Sequence, residues 1–299
     1  MPNFKAKKSL GQNFLKSEKA LSQIIEAAEA KEGDLVLEIG PGKGALTKKL
    51  LEAGAKVLSI EKDSRSVEFI KENFDEEIKE GKLDILEEDV LSFDETKIGT
   101  LKKFQGDEAS YKLIANIPYY ITGEILRKFL SSNNQPKSIT VLVQKEVADR
   151  IVSKDKKESI LSMSVKAYGD PKYVSTVKKE FFDPKPKVDS AILYISNISK
   201  EKFSSSSPPA CPVGRLSRGS RNNSGITESE ELKKMEDNFF KVLKTGFSQK
   251  RKQLGNNLSE LVRDVDFEKC EIKKTDRAEE LPIEKWFCLT QNLENLEEE

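Results

Sequence analysis

Strand-like and helix-like runs alternate through the first half of the chain, and this alternation constrains the fold more than any other feature. The segments 34–40 (DLVLEIG), 55–61 (AKVLSIE), 82–89 (KLDILEED), 111–116 (YKLIAN) and 138–144 (SITVLVQ) read as strands. Several are apolar without period-two alternation, the pattern of parallel strands covered on both faces. Between them GALTKKLLEAG, SRSVEFIKENF and YITGEILRKFL place apolar residues at helical spacing. Such a βαβαβ series predicts an α/β fold with a doubly wound sheet. Gly54 fits the position just past the helix ending in KKLLEA.

The pattern then changes. A helix is expected over 145–152 and another near 158–168. KYVSTVKKEFF and VDSAILYIS follow as two strands close enough to pair antiparallel, joined through DPKPK. Residues 199–229 are dominated by Ser, Pro, Gly and Asn, which predicts a linker or disordered insertion. Helical spacing resumes at 231–247 and 250–265. The expected organisation is a catalytic domain over 1–198, the insertion 199–229 and a small helical domain over 230–299.

Composition removes whole classes of chemistry. The 299 residues contain no histidine, which excludes Ser-His and Cys-His catalysis and His-ligated metals. Cys211, Cys270 and Cys288 are too few and too far apart for a disulfide framework or a zinc pattern, so no metal and a reducing cytoplasm are expected. No apolar run reaches the roughly 18 residues of a membrane span. The opening MPNFKAKKSLGQNFL has no long apolar core, so no secretory leader is expected. Formal net charge is zero, yet the charge is unevenly placed. Residues 1–16 hold four lysines and no acid, and 241–252 hold five basic residues and no acid. Local basic faces on a neutral chain suit a polyanion, although lysine-rich solvated faces are also ordinary.

The first chemical motif is LEIGPGKGALT, 37–47. Gly40, Gly42 and Gly44 follow a strand and precede a helix, where glycine lets the backbone turn and approach a ligand. The spacing is G-x-G-x-G rather than the dinucleotide G-x-G-x-x-G, which suits a nucleoside with an amino-acid tail. Glu61 ends the next strand, where an acid binds ribose hydroxyls, and Asp89 ends the third, where an acid can accept from an adenine amine. Asp89 could equally cap a helix.

The second motif is NIPYY, 116–120, at the end of the fourth strand. In the family that these motifs resemble, this position faces an exocyclic adenine amine, a poor nucleophile because its lone pair is delocalised into the ring. An Asn oxygen and a main-chain carbonyl beside proline can accept its two N–H groups and localise that lone pair. Asn116 and the Pro118 carbonyl are the candidates, with Tyr119 stacking on the displaced base. A plain Pro-containing turn with structural tyrosines is the alternative. Tyr120 is expected at the rim or in the core, and Trp286 in the core of the helical domain.

Taken together these motifs resemble the rRNA adenine N6-dimethyltransferase family, in the branch that dimethylates two adjacent adenosines near the 3′ end of small-subunit rRNA. KKSLGQNFL, EIGPGKGALT, NIPY, FFDPKPKVDSA, GFSQKRKQLGNNL and DRAEELPIEKW carry the likeness, which spans nearly all the chain outside 199–229. The resemblance implies a class I S-adenosylmethionine (SAM) methyltransferase fold, Rossmann-like with its last strand antiparallel, and a role in ribosome biogenesis. It implies that Asn13, Leu15, Gly40, Gly42, Glu61, Asp89 and Asn116 hold SAM. Phe182 would form the wall opposite Tyr119. Lys7, Lys8, Lys250, Arg251 and Lys252 would contact RNA phosphates. The expected partner of this monomer is the small ribosomal subunit. Glu88 stands where the family commonly has glycine. The alternatives are a resistance-type methylase of large-subunit rRNA, an assembly factor with little turnover, and, failing on loop spacing, an NAD-dependent oxidoreductase.

Overall fold

In the computed structural model, the residues described are 5–7, 10–98, 110–204, 227–249 and 251–294. The chain divides into two compact units, Met1–Val152 with Gly169–Ile198, and Ser153–Tyr168 with Ser199–Glu299.

Among its described residues the first unit has nine strands: β1 (Phe14–Leu15), β2 (Leu35–Ile39), β3 (Lys56–Glu61), β4 (Leu83–Glu87), β5 (Tyr111–Asn116), β6 (Ser138–Gln144), β7 (Asp170–Val177), β8 (Phe182–Asp183) and β9 (Ser190–Ser196). Seven form one sheet in the order β4-β3-β2-β5-β6-β9-β7. β2, β3, β4, β5 and β6 are parallel, and only β9 runs antiparallel to its neighbours. Strand order reverses between β2 and β5, so the carboxyl ends of these two strands flank the crevice where such sheets bind ligands. The two-residue strands β1 and β8 pair with each other and fix the N-terminal segment.

Helices α1 (Glu18–Ala28), α2 (Ala45–Glu52), α3 (Ser64–Asn73), α4 (Asp75–Lys79), α5 (Thr122–Ser131) and α6 (Lys145–Ile151) complete this unit. Ser17 caps α1 by accepting from the Ala20 N–H. Leu21 and Ile24 of α1, Leu46 and Leu50 of α2, and Val67 and Ile70 of α3 are buried in one cluster with Val36, Val57 and Ile114 of the sheet. Each such side chain contributes about 1.5–3 kcal/mol when removed from water.

The second unit contains α7 (Ile160–Lys166), a 3-10 turn at Glu201–Phe203, α8 (Glu228–Gly246), α9 (Leu254–Leu258), α10 (Asp264–Lys269) and α11 (Ile283–Glu294). Phe239 and Phe287 stack at 4.5 Å between centroids, and Phe247 stacks on Trp286 at 5.3 Å. Trp286 is fully buried, as expected from its sequence context, over Gly246, where a Cβ would lie 2.4 Å from its ring.

Four sequence expectations are revised. The segment 153–168 groups with the helical unit rather than with 1–198, because the Tyr168 hydroxyl donates to Glu236 and its ring meets Phe203 and Phe240. The start of 199–229 is built into the same unit, with Phe203 buried; residues 205–226 lie outside the described residues. The helix expected over 250–265 is instead the short α9 and then α10, because Asn257 turns inward to donate to the carbonyls of Gly246 and Gln249. Cys270 and Cys288, buried between α10 and α11, are joined as a disulfide, although no disulfide framework was expected; Cys211 lies outside the described residues.

Candidate cofactor and base site

The site grows from the carboxyl ends of β2, β3, β4 and β5. β2 ends at Ile39, and the chain turns through Gly40 and Gly42 at φ +67° and +55°. A Cβ on Gly40 would meet nothing within 4 Å, so its backbone borders open space. A Cβ on Gly42 would lie 2.7 Å from the Phe14 ring, so glycine lets that ring close over the loop. The Gly42 N–H donates to Glu61 Oε2 at 3.3 Å, and the Asp63 N–H donates to Glu61 Oε1 at 2.8 Å. Burial pushes the Glu61 carboxyl up from its ordinary value, opposed by these backbone donors.

Asp89 follows β4. Its Oδ1 accepts from the Leu91 N–H at 3.0 Å, and its Oδ2 lies 2.7 Å from Lys62 Nζ. The Lys62 ammonium beside it holds the Asp89 carboxyl below the usual range, assisted by the Leu91 N–H. Asp89 therefore both shapes its own turn and presents charge to the rim, where Glu88 donates its N–H to the Glu61 carbonyl.

Asn116 is the last residue of β5. Its Nδ2 donates to the Asn13 carbonyl at 3.0 Å, while Oδ1 accepts from no described residue. Pro118 has φ −58°, and its carbonyl accepts from the Ile121 N–H at 3.3 Å. The Tyr119 hydroxyl lies 2.7 Å from Ser190 Oγ, and burial raises its pKa. Tyr120 is 64 % exposed at the rim, its ring lying against Gly11.

A cavity of about 310 Å³ brings these groups together: Asn13, Gly40, Gly42, Glu61, Asp89 and Asn116 line it, with Pro118 and Tyr119. A second cavity of about 330 Å³ shares Phe14, Gly40 and Asn116 with the first and adds Leu15, Glu38 and Lys43. Every residue that the resemblance assigned to SAM thus borders one or both. Glu38 is buried, and its Oε2 accepts from Thr47 and Ser59 at 2.7 and 2.9 Å, while Oε1 has no hydrogen-bond partner among the described residues. Burial pushes its carboxyl up to about 7.

Phe182 is 4 % exposed, packed in the core with Leu15 and Ile192, and borders neither cavity; the exposed ring at that bend is Phe181. Lys7 is held by Asp63 at 3.1 Å. Arg251 and Lys252 are exposed in the second unit, and Lys8 and Lys250 lie outside the described residues. Tyr120, expected at the rim or in the core, also lines the first cavity, as do Lys62, Val90, Leu91 and the stretch Leu10–Gln12, which were missed from sequence. The apolar pair directly after Asp89 was the available signal for two of them. Among the described residues no group of three or more His, Cys, Asp or Glu could hold a metal, and no helix is long and apolar enough to cross a membrane.

A mostly parallel seven-stranded sheet with its last strand reversed, and with paired cavities at its carboxyl edge, defines the class I SAM-dependent methyltransferase fold. The model of the ribosomal RNA adenine dimethylase family matches residues 3–205, and the chain belongs to that family. It is 35 % identical over 295 residues to ribosomal RNA small subunit methyltransferase A of Dehalococcoides mccartyi (strain CBDB1), covering 95 % of this chain and 88 % of that one. The protein of the same name from Fusobacterium nucleatum is 34 % identical, covering 96 % and 97 %. Among solved structures, a dimethyladenosine transferase from Plasmodium falciparum superposes with a TM-score of 0.70 at 24 % identity, covering 94 % of this chain and 98 % of that one. The 23S rRNA methyltransferase ErmE gives 0.65 at 20 %, covering 94 % and 99 %. Both share the fold.

Proposed function

We propose that the chain dimethylates the N6 amines of two adjacent adenosines near the 3′ end of small-subunit rRNA, using SAM, and acts in the cytoplasm during subunit biogenesis. It is an rRNA adenine dimethyltransferase. The observation that carries the reading is the adjacency of β2 and β5, which sets the glycine loop and Asn-Ile-Pro-Tyr side by side on one rim.

The donor set fits SAM. Glu61 offers acceptors for ribose hydroxyls, Asp89 an acceptor for the adenine amine, and the open backbone of Gly40 room for the chain beyond the ribose. Asn13, Leu15 and Asn116 would hold the amino-acid end across the two cavities. When bound, SAM supplies an electrophilic methyl group.

The protein's part is positioning and electrostatics. Asn116 is oriented by the bond from its Nδ2 to the Asn13 carbonyl, which leaves Oδ1 to accept one N–H of the target amine. The Pro118 carbonyl, with one lone pair engaged by Ile121, accepts the other. Tyr119, anchored on Ser190, stacks on the base. Phe182 as the opposite wall requires base entry to uncover its ring. Arg251 and Lys252, with Lys8 and Lys250, are assigned to RNA phosphates, and Lys7 could join them only by leaving Asp63. The small ribosomal subunit is the expected partner of a monomeric enzyme.

The test is labelled methyl transfer from SAM to small subunits lacking the modification, with large subunits as control and mapping of the labelled bases. Dimethyladenosine near the 3′ end of small-subunit rRNA is expected. Label confined to large-subunit rRNA would replace this reading with the resistance-type activity.

A further inference from the structure

The N-terminal segment that lines the first cavity is tied down by a carboxylate that borders neither that cavity nor the second. Asp63 follows β3 and precedes α3, and its side chain is completely buried. It does not cap that helix with its side chain. Its Oδ1 accepts from Lys7 Nζ at 3.1 Å and Arg65 Nε at 3.0 Å. Its Oδ2 accepts from Gln12 Nε2 at 3.0 Å and Arg65 Nη2 at 2.6 Å. Arg65 Nη1 then donates to the Lys5 carbonyl at 3.2 Å, and the Lys7 N–H donates to Gln12 Oε1 at 2.8 Å. Two points on the N-terminal strap, Lys7 and Gln12, therefore meet one anion directly, and a third, Lys5, reaches it through Arg65.

The strap needs such an anchor. No α-helix or β-strand precedes β1 among the described residues, and Leu10, Gly11, Gln12 and Asn13 from this segment line the cavity. Ordering irregular chain costs conformational entropy, which charge-assisted bonds to a buried carboxylate offset. The Arg65 guanidinium beside it, then Gln12 and Lys7, hold the Asp63 carboxyl well below its ordinary range, so the anchor is anionic at any working pH. The Asp63 main chain also orients Glu61, so the strap and the ribose acid share one junction.

We propose that Asp63 is a positioning residue that latches the strap over the cofactor cavity, so that SAM retention depends on a group that never touches it. The inference rests on the SAM reading of the cavity. With the latch broken, binding falls by the fraction of time the strap is closed.

The test compares wild type, Asp63→Asn and Lys7→Met in the full chain. Two quantities are read: SAM affinity by calorimetry, and amide hydrogen exchange of the strap in ligand-free protein. Asp63→Asn should weaken SAM binding about 10-fold and Lys7→Met about 3-fold, with strap exchange faster in both and sheet exchange unchanged. In turnover the loss should fall on KM for SAM rather than on kcat. If Asp63→Asn fails to fold, Lys7→Met decides, because it leaves Asp63 paired with Arg65. Wild-type SAM affinity in the variants, or unchanged strap exchange, overturns the latch. A wild-type protein that does not bind SAM, with strap exchange still responding to the substitutions, overturns the cofactor reading and the retention role with it.

Discussion

The Tyr119 hydroxyl and Ser190 Oγ lie 2.7 Å apart, joining the turn after β5 to the first residue of β9. They are 71 positions apart in sequence, so the bond ties Asn-Ile-Pro-Tyr to the end of the Pro-spaced connector. It leaves the Tyr119 ring half-buried at the cavity wall with its orientation fixed.

Ring and hydroxyl at Tyr119 should separate cleanly. Tyr119→Phe loses one neutral hydrogen bond, about 1 kcal/mol, and methyl transfer should fall about fivefold. Tyr119→Ala also removes the stacking surface, and transfer should fall by roughly a further 10- to 100-fold. Single-turnover rates on small subunits check both; equal losses would mean that the ring carries nothing.

Asn116→Ala should lower methyl transfer by roughly 100-fold or more, the range for deleting one positioned polar group at a reacting centre. SAM affinity should change much less, because Glu61, Asp89 and Gly40 remain. Calorimetry beside turnover checks this, and abolished SAM binding would contradict the role given to Oδ1.

Glu61→Ala should weaken SAM binding by roughly 10- to 100-fold, corresponding to about 1.5–3 kcal/mol for hydrogen bonds to a charged acceptor. Unchanged affinity in equilibrium binding would remove Glu61 from the site.

Glu38 gives a pH dependence with a definite sign. Its folded-state pKa, about 7, lies above the ordinary 4.5 because the carboxylate is desolvated. The protonated form therefore favours the folded state. That contribution is complete below pH 4.5 and is lost as pH rises from there through 7. The loss amounts to about 3 kcal/mol above that window. Glu38→Gln should be more stable than wild type at pH 8 and not at pH 4.5. Urea unfolding at both values measures it, and a gain independent of pH would count against the burial argument.

Reductant should destabilise the second unit. Cys270 and Cys288 close a loop with a sequence separation of 18 residues. Constraining a loop of that size is worth about 3 kcal/mol in the chain-entropy account. Urea unfolding with and without dithiothreitol, paired with thiol titration, reads the difference; no difference would mean that the thiols do not bridge in solution.

Where the chain carries continuous apolar runs, its sequence was a sufficient guide. β5 and β6 begin and end at the residues the pattern picked out, because strands buried on both faces leave an unbroken signal. The glycine loop, Glu61, Asp89 and Asn116 were legible because strand ends in a parallel sheet converge on one rim. The rest depends on contacts between distant residues. β1 and β8 have two residues each, too few to show a period. Asn257 looks like an ordinary helix residue until its amide is seen on Gly246 and Gln249. Phe182 was expected to face a base, yet it is buried and its neighbour Phe181 meets the solvent. Asp63 reads as a routine polar residue after a strand, and only its partners at positions 7, 12 and 65 reveal its weight.

The parallel pairing of β2 with β5, which sets Ile39 opposite Ala115, acts as a ruler. Gly40 directly follows β2 and Asn116 ends β5, so the two stand one inter-strand step of about 4.8 Å apart, fixed by main-chain hydrogen bonds. A slip of one residue would turn Asn116 to the other face of the sheet, so the spacing can be kept or lost but not tuned by degrees. Sequence drift in the surrounding loops can therefore reshape the cavity walls while the spacing of the two strand ends stays constant.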